Sequence, residues 1–312
     1  MSVSHISLFL SSYTAGKAVP ELIKMKVTGF TFIRNAEKYD YPVVEAISSI
    51  LPVCDDFVVA VGASEDNTRE LIAGIDPEKI RIVDTVWDEN LKSGGRVLAV
   101  ETDKAFQAIP DDADWAFYIQ GDEVVHEKYL PVILKEMQKW KDDPQVDGLL
   151  FHYLHFYGSY DYVGASPRWY PHEIRVIKNN KRIYAYRDAQ GFRKNNNEKL
   201  KVKAIEATVY HYGWVREPKA MQRKQTDFPK LYDGDHPKKQ TVVTDAFDYS
   251  GIDSLRLFEG THPKVMIPRI ERTNWTFDYD LSYNKLSLKN RFKIFLKNNF
   301  GIELGYKNYI KI

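Results

Sequence analysis

Asp114-Trp115-Ala116-Phe117-Tyr118-Ile119-Gln120-Gly121-Asp122-Glu123-Val124-Val125-His126-Glu127 is the stretch on which the fold turns. Trp115 to Ile119 is a short, aromatic-rich apolar run, which predicts a strand buried on both faces, and it stops abruptly at Gln120-Gly121-Asp122-Glu123. Two carboxylates then stand at the carboxyl end of that strand, the edge of an open α/β sheet where ligands bind. Acids so placed can hold a divalent cation against a phosphorylated substrate, or can form a polar turn after a core strand.

Upstream of this run, strands and helices alternate. Val27 to Ile33 predicts a strand, Arg34-Asn35-Ala36-Glu37 a polar turn, and Val43 to Leu51 a helix whose first turn is marked by Pro42. Asp55 to Val61 is a second strand, apolar without alternation at its centre, as a parallel strand between two layers of helix should be. Gly62-Ala63-Ser64-Glu65-Asp66-Asn67-Thr68 turns into a helix over Arg69 to Ala73. Ile80 to Val83 is a third strand, and Gly94-Gly95 opens a helix over Arg96 to Ala108. The order βαβαβαβ predicts a doubly wound, mostly parallel sheet.

Downstream, Tyr129 to Trp140 predicts a helix, after which the pattern shifts to β-branched and aromatic runs. Eight of the twenty-two residues from Phe151 to His172 are Phe, Tyr or Trp, enough either to line a sugar-binding groove or to fill a mixed-sheet core. Further strands are expected at Glu173 to Ile177, Arg182 to Arg187 and Ala207 to Tyr212, and a helix over Pro218 to Leu231.

The chain has 312 residues, 44% of them hydrophobic, which is ample for a packed core. Its net charge of +1 offers no general attraction to nucleic acid, and no nucleic-acid partner is expected. The single Cys54 excludes an internal disulfide framework and fits a buried thiol in a reducing, cytoplasmic compartment. Ile6 to Leu10 is too short to span a bilayer, so residues 1–24 are taken as an N-terminal extension. Leu281 to Ile312 carries seven Lys or Arg and one Glu among many apolar residues. Phe292, Phe295 and Leu296, at helical spacing, are expected to pack on the domain or to make peripheral contact with the inner face of an anionic membrane.

Three motifs in order, Phe32-Ile33-Arg34-Asn35-Ala36-Glu37, Gly62-x-Ser64-x-Asp66-x-Thr68 and Asp114-Trp115 running into an acidic strand end, resemble the nucleotide-sugar glycosyltransferases of family two. The resemblance covers roughly Lys26 to Trp214. It implies a GT-A fold, a Rossmann-like nucleotide-binding half (25–125) joined to a mixed-sheet acceptor half (126–215), with a C-terminal helical extension (216–312). It implies a hexosyltransferase-like activity that moves a sugar from a UDP- or GDP-sugar to a glycan, lipid-linked or protein acceptor. Mn²⁺ or Mg²⁺ and inversion at the anomeric carbon accompany that chemistry in the family.

On the same resemblance, Asp122 is the remaining carboxylate of the family's aspartate-x-aspartate motif, whose first acid is here the amide Gln120. His211 would complete the metal or diphosphate site. Arg34, Asn35, Asp66, Arg96, Gln120 and Gly121 would border the donor, and Val61 stands where an acid often contacts the base. An inverting transfer needs a base across the reacting centre from the leaving group, for which Asp188 is the first candidate, Glu173 the second and Asp161 the third. Arg216 and Arg223, after the His211 segment, are further cations for the diphosphate. Two other functions stay open: an inactive GT-A domain acting as a sugar-binding module, and a sugar-phosphate nucleotidyltransferase. The second lacks a glycine-rich triphosphate loop after the first strand.

Overall fold

The computed structural model describes residues 25–312 apart from 89, 92, 228–244 and 284. The arm over residues 1–24 and the end of the helix expected up to Leu231 therefore lie outside the described residues. The first half runs β1 (Val27–Ile33), α1 (Val43–Ile50), β2 (Asp56–Gly62), α2 (Thr68–Ala73), β3 (Ile80–Thr85), α3 (Arg96–Gln107) and β4 (Trp115–Tyr118), each within two residues of its expected bounds. It continues through β5 (Glu123–Val125), α4 (Leu130–Trp140), β6 (Gly148–Tyr157), β7 (Ser159–Gly164), β8 (His172–Lys178), β9 (Ile183–Tyr186), β10 (Gly191–Lys194) and β11 (Glu198–Trp214). Then come α5 (Pro218–Asp227), β12 (Leu255–Leu257), α6 (Ile267–Glu271), α7 (Leu288–Phe300) and β13 (Tyr309–Lys311).

The fold is mixed α/β, consistent with the GT-A expectation: one mixed sheet in the order β3-β2-β1-β4-β8-β6-β11-β10-β9. β3, β2, β1 and β4 are parallel, β8 runs antiparallel between β4 and β6, and β11 lies parallel to β6. β4 shows why the parallel half is a continuous apolar run in sequence. Trp115, Phe117 and Ile119 join the core under α1 and α4, while Ala116 and Tyr118 join the core under α3 with Phe30 and Phe106. Residues two apart share a face, so a strand covered on both sides needs apolar residues at every position.

β11 is longer than the strand expected over Ala207 to Tyr212, because its first half alternates exposed Lys and Glu with buried Leu200 and Val202. Its far end carries His211. There β5 pairs antiparallel with Val209 to His211, so the chain leaving β4 turns at Gln120 to Asp122 and runs back beside His211. The aromatic segment is divided: Phe151, Phe156, Tyr157 and Tyr160 are buried in the core, and Trp169 and Tyr170 remain half-buried beside His155. In α7, by contrast, no residue is buried, so Phe292 and Phe295 do not pack into the domain.

Candidate active site

The loops that follow β1 and β2 are locked to each other. Asn35, in a left-handed conformation (φ 55°), accepts from the Glu65 amide through Oδ1 (2.8 Å) and donates its own amide to Ser64 Oγ (3.0 Å). Asp66 accepts from the Lys38 amide (2.8 Å) through one oxygen and, through the other, from the amide (3.0 Å) and hydroxyl of Thr68. The Asn35 and Asp66 side chains thus hold the loops in shape. Arg34 extends from the same turn over the Trp87 ring, 5.5 Å from its centroid.

The turn after β4 separates its two acids. Glu123 is fully buried and takes a bidentate ion pair from buried Arg175, Nε to Oε2 at 2.7 Å and Nη2 to Oε1 at 2.6 Å, with the Tyr153 hydroxyl donating to Oε1 at 2.8 Å. Such a pair is a fixed part of the core. The adjacent carboxylates suggested by the sequence are therefore not one cluster, and Glu123 has no oxygen turned to a ligand. Gln120 points the other way, its Nε2 donating to the Ala189 carbonyl (3.2 Å), which ties β4 to the loop carrying Asp188.

Three cationic or basic side chains surround Asp122. His211 Nε2 lies 3.7 Å from Oδ1; Arg216 Nη2 and Lys224 Nζ each lie 3.5 Å from Oδ2. Burial raises the pKa of this carboxyl, but the charges of Lys224 and Arg216 outweigh burial and hold it down to about 2. Burial and then Arg216 lower Lys224 to about 7, against the pull of Asp122. Arg216 is wholly buried, lies over the Tyr41 ring at 4.3 Å, and its Nη2 makes no hydrogen bond. A buried guanidinium donor left without an acceptor suits an anionic ligand.

The histidine tautomers follow from the network. His155 Nε2 lies 2.8 Å from the Tyr170 carbonyl, which can only accept, so Nε2 carries the proton and Nδ1 is bare. His211 Nδ1, 3.1 Å away, must then donate to His155 Nδ1, which leaves His211 Nε2 with its lone pair facing Asp122. Burial lowers the pKa of both rings, that of His155 to about 3, and keeps them neutral. A neutral imidazole nitrogen facing a carboxylate oxygen is a donor pair that fits one divalent cation, the remaining positions falling to phosphate oxygens and water. Among the described residues no three His, Cys, Asp or Glu side chains gather to hold a metal by themselves.

A depression of about 720 Å³ opens between the start of α3 and the loop after β9. Arg96, Asp103, Tyr184, Arg187, Asp188 and Gln190 line it, and burial raises Asp103 to about 6. Arg96 begins α3 directly after Gly94 and Gly95, whose positive φ values make the tight entry possible. Glu173 sits deeper, nearly buried, its Oε2 without a hydrogen-bond partner, and burial, with Glu123 and Asp188 adding to it, raises its pKa to about 8 despite Arg175.

Asp122, His211, Arg216 and Gly121 thus come together. Asp188 and Arg96 share the neighbouring depression. Asp161 instead accepts from Ser159 within its own hairpin, and Arg223 is exposed, whereas Lys224, one position on, turns inward. Lys224, His155 and Arg175 are the residues the sequence did not single out. Lys224 had a signal: it falls three residues after Met221, on the buried face of α5.

No family model matches the sequence, and no curated protein matches it. Solved structures that resemble the chain include the crystal structure of S. aureus TarS 1-349, with 15% identity and a TM-score of 0.37 over 64% of this chain and 63% of that one. Another is glucosyl-3-phosphoglycerate synthase from Mycobacterium tuberculosis in complex with Mn²⁺, uridine-diphosphate and phosphoglyceric acid, with 16% identity and a TM-score of 0.30 over 46% of this chain and 49% of that one. A third is 4-diphosphocytidyl-2C-methyl-D-erythritolsynthase from Anaerococcus prevotii DSM 20548, with 13% identity and a TM-score of 0.32 over 50% of this chain and 70% of that one. The chain spans less than two thirds of the length of the first two.

Proposed function

We propose that the chain is a nucleotide-sugar glycosyltransferase that moves a sugar, with inversion, from a UDP- or GDP-sugar to a hydroxyl of a glycan or lipid-linked acceptor. One observation carries this reading: the Asp122 carboxylate faces a bare imidazole nitrogen on one side and the Arg216 guanidinium and Lys224 amine on the other. Such a mixture suits a polyanion whose charge grows during reaction, as the β-phosphate of a departing nucleoside diphosphate does. Arg216 and Lys224 bind and orient the diphosphate, and their charge is worth more in this dry setting than in water. Asp122 and His211 would hold Mn²⁺ or Mg²⁺, which supplies further charge neutralisation at the leaving oxygen.

The division of labour follows the sheet. Residues 25–125, with Arg34, Asn35, Asp66, Gln120 and Gly121, form the donor side, and 126–215 the acceptor side, backed by 216–312. Arg96, at the start of α3, reaches the donor from the depression that Asp188 shares. Asp188 is the general base that accepts the acceptor hydroxyl's proton, and Glu173 behind it is the second candidate.

The test is nucleotide release from a panel of UDP- and GDP-hexoses with and without Mn²⁺. Asp122→Asn, close in shape, is expected to cut turnover about a hundredfold or more while the protein still melts cooperatively. Undiminished turnover in that variant removes the site.

A further inference from the structure

Helix α7 presents an apolar stripe that no other described residue covers. Leu288 is 84% exposed, Phe292 58%, Phe295 52% and Phe300 62%. Leu288, Phe292 and Phe295 follow at i, i+4 and i+7 and so lie along one side of the helix. After the helix, Ile302, Leu304 and Tyr306 are exposed as well. Exposed aromatics in series on one short helix are not the scattered apolar residues of an ordinary surface.

The charge pattern selects the occupant. The helix contains Lys289, Arg291, Lys293 and Lys297 and no acid. At 100° per residue Arg291 borders one flank of the stripe and Lys289 and Lys293 the other. A second copy docked on this face would set like charges against like, while an anionic surface meets both the apolar stripe and its basic borders. The helix is also held to the body rather than trailing from it. Lys297 pairs with Glu303 at 2.9 Å, Glu303 lies 3.8 Å from His172, Arg193 donates to the Asn308 carbonyl at 2.7 Å, and β13 pairs with β11.

We propose that α7 lies in the surface of an anionic lipid bilayer, with Leu288, Phe292 and Phe295 at the level where headgroups meet acyl chains and Lys289, Arg291 and Lys293 on lipid phosphates. An interfacial helix of this kind needs both contributions, since neither a few aromatic rings nor a few cations hold a protein on a membrane alone.

Flotation of the full chain with vesicles of phosphatidylcholine alone, and of phosphatidylcholine with 30% phosphatidylglycerol, tests the proposal. Binding is expected to the anionic vesicles only, and to fall by about tenfold or more between low and 0.5 M salt. Phe292→Ser/Phe295→Ser and, separately, Lys289→Glu/Lys293→Glu should each abolish flotation. Phe292, Phe295 and Lys289 are exposed and Lys293 is half-buried on the helix surface, so melting temperature and nucleotide-sugar turnover should stay at wild-type values. Equal binding to both vesicle types, or flotation of either variant, overturns the proposal. So does a concentration-dependent dimer that the Phe292→Ser/Phe295→Ser variant dissociates, which would make a second copy the occupant.

Discussion

Among single residues, His155 is the one whose role follows from proton bookkeeping alone. Its Nε2 is committed to the Tyr170 carbonyl, and this makes its Nδ1 the acceptor that turns the His211 lone pair toward Asp122. His155→Phe removes the acceptor, and the His211 ring loses the bond that fixes its tautomer and orientation. Mn²⁺ affinity measured by calorimetry should fall about 10- to 100-fold, with the melting temperature much less affected. Unchanged affinity would remove His155 from the site. None of this was legible in Phe151-His152-Tyr153-Leu154-His155, where the alternation of a strand is visible but not which ring meets His211. Asp122 and His211 stood out in the sequence through the family resemblance, and the structure brings them within 3.7 Å of each other. Glu123 and Arg175 were not recognised as partners because they lie fifty-two positions apart and meet only across the sheet.

At the scale of the element, the carboxyl end of β11 works because Gly213 leaves room. A Cβ there would lie 2.6 Å from His211 Nε2 and 2.9 Å from Asp122 Oδ2, both closer than such contacts occur. Gly213→Ala should therefore push the two groups apart. Turnover is expected to drop about a hundredfold, the loss that misplacement by roughly an ångström brings, with the far-UV spectrum unchanged. An alanine variant of wild-type activity would show that the spacing of the pair is unimportant. Elements of this fold were legible in proportion to their length. β1, β2 and β4 stand out as apolar runs, whereas β5, β12 and β13, at three residues each, are too short to show a period. The first half of β11 was missed because its Lys and Glu residues mask the alternation beneath.

For the molecule as a whole, the buried Glu173 sets a pH dependence of stability. Its folded pKa, raised from 4.5 to about 8, means that the native state holds a proton which the unfolded chain releases. Stability from this group is therefore complete below about pH 4.5, declines as pH rises, and levels off above about pH 8, with a slope of at most about 1.4 kcal/mol per pH unit. Urea unfolding at pH 5, 6, 7 and 8 should show Glu173→Gln gaining on the wild type as pH rises; parallel curves would mean that the side chain titrates normally. The overall architecture was readable because a parallel sheet demands helices between its strands and leaves a βαβ rhythm behind. The C-terminal segment follows no such rhythm, and only its basic and aromatic content pointed to a surface.

One pairing in this fold bears on the order in which it is assembled. β11 and β13 hold the strand partners most distant in sequence among the described residues, and beside them Asn308 lies against Gly191. Closing so large a loop is entropically the slowest of the sheet's steps and has little to nucleate it, since β13 is only three residues long. The edge of the sheet beside Gly191 is thus among the last parts of the fold to be put in place.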